Sequence, residues 1–116
     1  MSRDYRLYLD DMCAAAEKVL RYTRGIGLVA FLSDEKTFDA VVRNLEVLGE
    51  AAKHVPPEVR KRYPEVAWRR IAGLRDVVAH EYFGIDEDIV WDIIENQVPE
   101  LLAQVRQILE RESVEE

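Results

Sequence analysis

Cysteine and histidine are nearly missing from this chain of 116 residues, which holds Cys13, His54 and His80 and no others of either type. A lone cysteine cannot form an intramolecular disulfide. Three such residues also fall short of the four ligands that a structural zinc site takes. Cys13 is therefore read as a small core residue, and no metal or cofactor is expected. Long apolar runs are lacking too. The longest uncharged stretch, Gly25 to Ser33, is far below the roughly 20 residues that a membrane-spanning helix requires. With no secretory leader pattern at the start, a cytoplasmic protein is expected. Nor is there a run of alternating apolar and polar residues that would make a half-buried strand.

Excess positive charge is the remaining absence. A net charge of −7 argues against a protein that grips nucleic acid over a wide surface, because nonspecific affinity comes mainly from phosphate neutralisation. The charge is unevenly placed, however. Arg60, Lys61, Arg62, Arg69, Arg70 and Arg75 face Glu65 alone, a local +5 that leaves −12 on the rest of the chain. A small phosphate site on a body that otherwise repels polyanions fits this pattern. Arg69 and Arg70 are its candidate phosphate contacts, whereas Arg60, Lys61 and Arg62 also suit a solvated helix face.

What is present repeats at helical spacing, so a single all-α domain over residues 1–116 is expected. A first helix from about Asp4 to Thr23 turns Leu7, Met12, Ala15, Ala16, Val19 and Leu20 inward and ends at Gly25 and Gly27. A second starts near Ser33 or Asp34, carries Phe38, Val41, Val42, Leu45, Leu48 and Ala52 on one stripe, and stops before Pro56 and Pro57. Residues 57–62 form a one-turn connector with proline at its first position. A third main helix runs from Trp68 to about Glu81, and Gly84 breaks it ahead of a cap at Asp86. The fourth spans Glu87 to Glu110, kinked or divided by Pro99, and Arg111 to Glu116 reads as a frayed acidic tail. The architecture is an up-and-down bundle of four main helices plus a short connector. Trp68 and Trp91 are assigned to the core or an interface.

One segment gathers most of the chemistry: Arg75-Asp76-Val77-Val78-Ala79-His80-Glu81-Tyr82. Arginine offers phosphate a planar fork of donors, and histidine exchanges a proton near neutral pH. At about 100° per residue, Arg75 and His80 project roughly 140° apart on a regular helix, so they form no simple pair on one face. Asp76 precedes His80 by one turn and is the candidate for orienting its ring. Glu46 and Glu50, or Glu50 with His54, might suggest metal ligands, but the paired Glu-x-x-His units of helical di-metal sites are missing. These carboxylates are expected to partner an arginine or solvent. His54, beside Pro56, has no evident partner in the sequence.

The pattern Arg, four residues, His, one residue, Tyr, with its flanks Tyr63 to Leu74 and Phe83 to Asp86, resembles the HepT toxins. These are small ribonucleases of the HEPN superfamily, commonly encoded beside a minimal nucleotidyltransferase antitoxin, MntA. The resemblance runs from about Asn44-Leu45-Glu46-Val47-Leu48-Gly49-Glu50 to Leu109. It implies a HEPN-like two-fold dimer with its site at the interface, Arg75 and His80 as catalytic residues, RNA as substrate, and Tyr82 as acceptor of AMP from an MntA-like partner. Metal-independent cleavage by the ribose 2′ oxygen needs two proton carriers. A homodimer would supply them as two copies of His80, with two copies of Arg75 stabilising the charged transition state. A rival reading keeps the same residues in a noncatalytic helical module that docks a nucleotidyltransferase or a nucleotide.

Overall fold

A computed structural model describes residues 4–82 and 87–113; the side chains of 79–82 and 113 lie outside that description. The fold is all-α, with no strand among the described residues. Helix α1 (Tyr5–Tyr22) begins where the Asp4 carboxylate accepts from the Arg6 backbone N–H, and stops short of Gly25, whose φ of 77° lies in the left-handed region. Its buried stripe is Leu9, Met12, Cys13, Ala15, Ala16 and Val19. Leu7, expected inward, is instead 44% exposed: it lies two residues from Leu9, and so about 200° away around the helix.

A short helix, α2 (Leu28–Ser33), occupies the segment between the first two expected helices, to which the sequence pattern assigns no element. It buries Phe31 completely against Phe38 and Trp91, with ring centroids 5.3 Å apart in both pairs. Helix α3 (Glu35–His54) is capped by Asp34, which accepts from the backbone N–H and hydroxyl of Thr37. Pro57 opens α4 (Pro57–Arg62) as its first residue. After the turn held by the Trp68 indole N–H donating to the Tyr63 carbonyl at 2.9 Å, the expected third helix is broken in two. Gly73 separates α5 (Trp68–Ala72) from α6 (Leu74–Tyr82), as suits the weakest helix former other than proline. The expected break at Gly84 and cap at Asp86 lie outside the described residues.

The final arm is also divided, as the proline foretold. Helix α7 (Glu87–Asp92) passes into a π-helical segment, Ile93–Gln97, and then α8 (Val98–Ser113). Pro99 has no N–H to return to the carbonyl four residues back, and the Val98 N–H bonds the Ile93 carbonyl in the wider π pattern. In the bundle, α1 lies between α3 and α8, and α3 also packs on α5 and α6. Tyr8 near the start of α1 meets His54 at the end of α3, and Tyr5 meets Glu112 at the end of α8, so both neighbours run antiparallel to α1. Val41, Leu45, Leu48, Val105 and Ile108 close on α1's stripe to make one core. Trp68 is buried there and Trp91 packs against it.

The expected frayed tail from Arg111 to Glu116 is corrected in its first part, since α8 continues to Ser113, while residues 114–116 lie outside those described. Glu112 is only 5% exposed and accepts hydrogen bonds from the Tyr5 and Tyr63 hydroxyls and from the Arg62 guanidinium. Arg62 is thereby tied to the body of the protein rather than simply solvated. Cys13 is buried, and that burial pushes its thiol up to about 11, which fits an inert core residue.

Candidate active site

The face of α3 that repeats at intervals of three and four residues carries Arg43, Glu46, Val47, Glu50 and His54 into a cleft of about 440 Å³. From α1, one turn apart, come Tyr8 and Asp11; from α6 comes Arg75. Gly49 sets how closely α6 can approach. A Cβ there would stand 3.0 Å from the Ile71 carbonyl oxygen and 3.4 Å from that of Ala72, with the Arg75 backbone nitrogen at 3.5 Å. Only a residue without a side chain lets α3 lie against the corner between α5 and α6. That contact places the base of the Arg75 side chain beside Glu50.

Arg75 is 62% exposed, and its Nη1 lies 3.8 Å from Glu50 Oε1. The other oxygen of the same carboxylate is 3.1 Å from His54 Nε2. The His54 ring stacks on Tyr8 at 5.0 Å with planes 19° apart. Glu50 thus meets an arginine, as the sequence suggested. His54 does have partners, contrary to the sequence reading: Glu50 lies one turn back on its own helix, and Tyr8 arrives from α1. Three carboxylates against two guanidiniums line this cleft, so it is no basic groove. It can offer phosphate a local cation, not a tract of positive charge.

His80 and Tyr82 belong to α6 with Arg75, but their side chains lie outside those described. Asp76 is exposed in the first turn of that helix, one turn before His80. Arg69 and Arg70 are exposed on α5. Arg70 lines a separate, smaller cavity with Glu65, Gln97 and Glu100, not the cleft of Arg75. Among the described residues no cluster of histidine, cysteine and carboxylate groups could hold a metal ion, and no helix is long and apolar enough to cross a membrane.

A family model described as Ribonuclease HepT-like matches residues 12–108. This chain belongs to that family. Among curated proteins, one from Methanocaldococcus jannaschii named "Putative RNase MJ0127" is 39% identical over 107 residues, 92% of this chain and 88% of that protein. Another, from Thermococcus cleftensis and named "Probable ribonuclease HepT", is 40% identical over 101 residues, 87% of this chain and 92% of that protein. No solved structure matches the chain. The matched span includes the motif helix and the cleft residues of α3, but not Tyr8 and Asp11 of α1.

Proposed function

We propose that this protein is a metal-independent endoribonuclease, the toxin of a toxin–antitoxin pair, working as a two-fold homodimer. The observation that carries the reading is Arg75: in a chain of the HepT-like family it stands exposed at the edge of a cleft, on the helix that also bears His80 and Tyr82. Its only described ion pair is a long one. Its donors are therefore open to a phosphate.

In the proposed reaction the ribose 2′ oxygen bonds to the adjacent phosphorus as its proton passes to a base. The bond from phosphorus to the 5′ oxygen breaks, and that oxygen receives a proton. The products are a 2′,3′-cyclic phosphate and a free 5′ hydroxyl. His80 exchanges protons with substrate, Arg75 stabilises the charge that builds on the phosphoryl oxygens, and Asp76 orients the imidazole. Arg69 and Arg70 hold flanking phosphates. Tyr82 accepts AMP from an MntA-like nucleotidyltransferase: its oxygen bonds to the α-phosphorus of ATP and pyrophosphate leaves. A nucleotide on Tyr82, two residues from His80, would block the site and compete for the guanidinium.

Expression of the wild type without an antitoxin should arrest growth and fragment cellular RNA, whereas His80→Ala should be harmless. Equal, harmless growth with intact RNA from both would reject the toxin reading and leave a noncatalytic docking module. Coexpression with the nucleotidyltransferase should add the mass of AMP to Tyr82 peptides.

A further inference from the structure

We propose that His54 is a second proton carrier of the same cleft, with Glu50 as the positioning residue that holds it and couples it to Arg75. The inference rests on the ribonuclease reading and changes its proton inventory. One carboxylate bridges both groups, with Oε2 at 3.1 Å from His54 Nε2 and Oε1 at 3.8 Å from Arg75 Nη1. In the neutral ring this makes Nε2 the protonated nitrogen, donating to Glu50, and leaves the lone pair on Nδ1. No other described residue is seen to bond that nitrogen. A base oriented by a carboxylate on its far side is the arrangement in which an imidazole takes a proton from a hydroxyl.

Helix stability alone gives this pair little purpose. Both partners are about half exposed, and an exposed histidine and glutamate one turn apart contribute only about 0.3–0.5 kcal/mol. Yet the ring is restrained twice, by Glu50 from its own helix and by the Tyr8 face from α1, while staying open to the cleft. In the proposed step Nδ1 takes the 2′-hydroxyl proton as that oxygen bonds to phosphorus. The 5′ oxygen leaves with a proton from His80, and Glu50 balances the imidazolium formed on His54. Each scissile bond then needs one copy of His80 rather than two.

The test is single-turnover cleavage of a short oligoribonucleotide from pH 5 to 9 by the wild type, His54→Gln, Glu50→Gln and the control Lys53→Gln, all checked for equal melting temperature. The groups facing His54, whose own titrations the profile must accommodate, are Tyr8 and Asp11 from α1, Arg43, Glu46 and Glu50 from α3, and Arg75 from α6. His54→Gln should slow cleavage about 100-fold or more and flatten one limb of the pH profile. Glu50→Gln should lower kcat with little change in KM, and Lys53→Gln should match the wild type. In the wild type, the His54 ring protons should also shift on titration with adenosine 3′-monophosphate. An active wild type whose His54→Gln variant keeps its rate and profile would overturn the role of His54 and leave the ribonuclease reading standing. A wild type that leaves RNA intact would overturn that reading first, and this inference with it.

Discussion

Burial of the Glu112 carboxylate acts to raise its pKa, but hydrogen bonds from Tyr5 and Tyr63, together with the Arg62 guanidinium, outweigh it and hold the group below the usual value of 4.5. A carboxyl whose folded pKa is depressed contributes stability that is full above its unfolded pKa and is lost as pH falls through the folded one. Stability should therefore decline on acidification below about pH 4.5. Glu112→Gln should remove part of that dependence and cost about 1–3 kcal/mol at pH 7 in urea titration. Arg62 is half exposed, so most of the loss should come from the two phenols. An unchanged midpoint would show that the carboxylate is not a tie. None of this was legible in the sequence, where Glu112 sits in a run of charged residues like any loose end. Its partners are 49 to 107 positions away. His54 is an intermediate case: Glu50 at one turn's distance was visible, but the Tyr8 ring that fixes the imidazole belongs to another helix.

Among the elements, the corner between α5 and α6 governs where the motif arginine stands. Gly49→Ala should push α3 off that corner, because the new Cβ would meet a backbone carbonyl at 3.0 Å that has no flexible end to move aside. A loss of about 1–3 kcal/mol in thermal or urea unfolding is expected, with slower RNA cleavage as Arg75 shifts from Glu50. Wild-type stability and rate in this variant would remove Gly49 from the account. The helices with strong caps and long apolar stripes, α1 and α3, stand within a residue or two of where Asp4, Asp34 and the paired prolines put them. Helix α2 escaped notice because its six residues follow two glycines and are too few to show a period. The break at Gly73 escaped because the apolar spacing of Trp68, Ile71, Leu74 and Val78 continues across it, and spacing alone does not register a one-residue interruption.

For the molecule as a whole, the balance between a −12 body and a +5 segment limits how RNA can be held. Three arginines per chain, Arg69, Arg70 and Arg75, are the proposed phosphate contacts, and carboxylates share the cleft with the last of them. At about −0.7 per contact for a single strand, the slope of log affinity against log salt should lie between about −1 and −4. A slope near −7 would demand a wide basic surface that this sequence does not have. The family was legible from residues 75–82 with their flanks, and the helical class from the apolar spacing along the chain. The cleft itself was not, since it is assembled from three helices that only packing brings together.

The measurement that bears most directly on the proposed roles of Arg75 and His80 is cleavage of a defined oligoribonucleotide by purified wild type and His80→Ala side by side, with the product ends identified. The account predicts 2′,3′-cyclic phosphate and 5′-hydroxyl ends from the wild type and a rate at least about 100-fold lower from the variant. Equal cleavage by both, or 3′-hydroxyl and 5′-phosphate ends from the wild type, would contradict it.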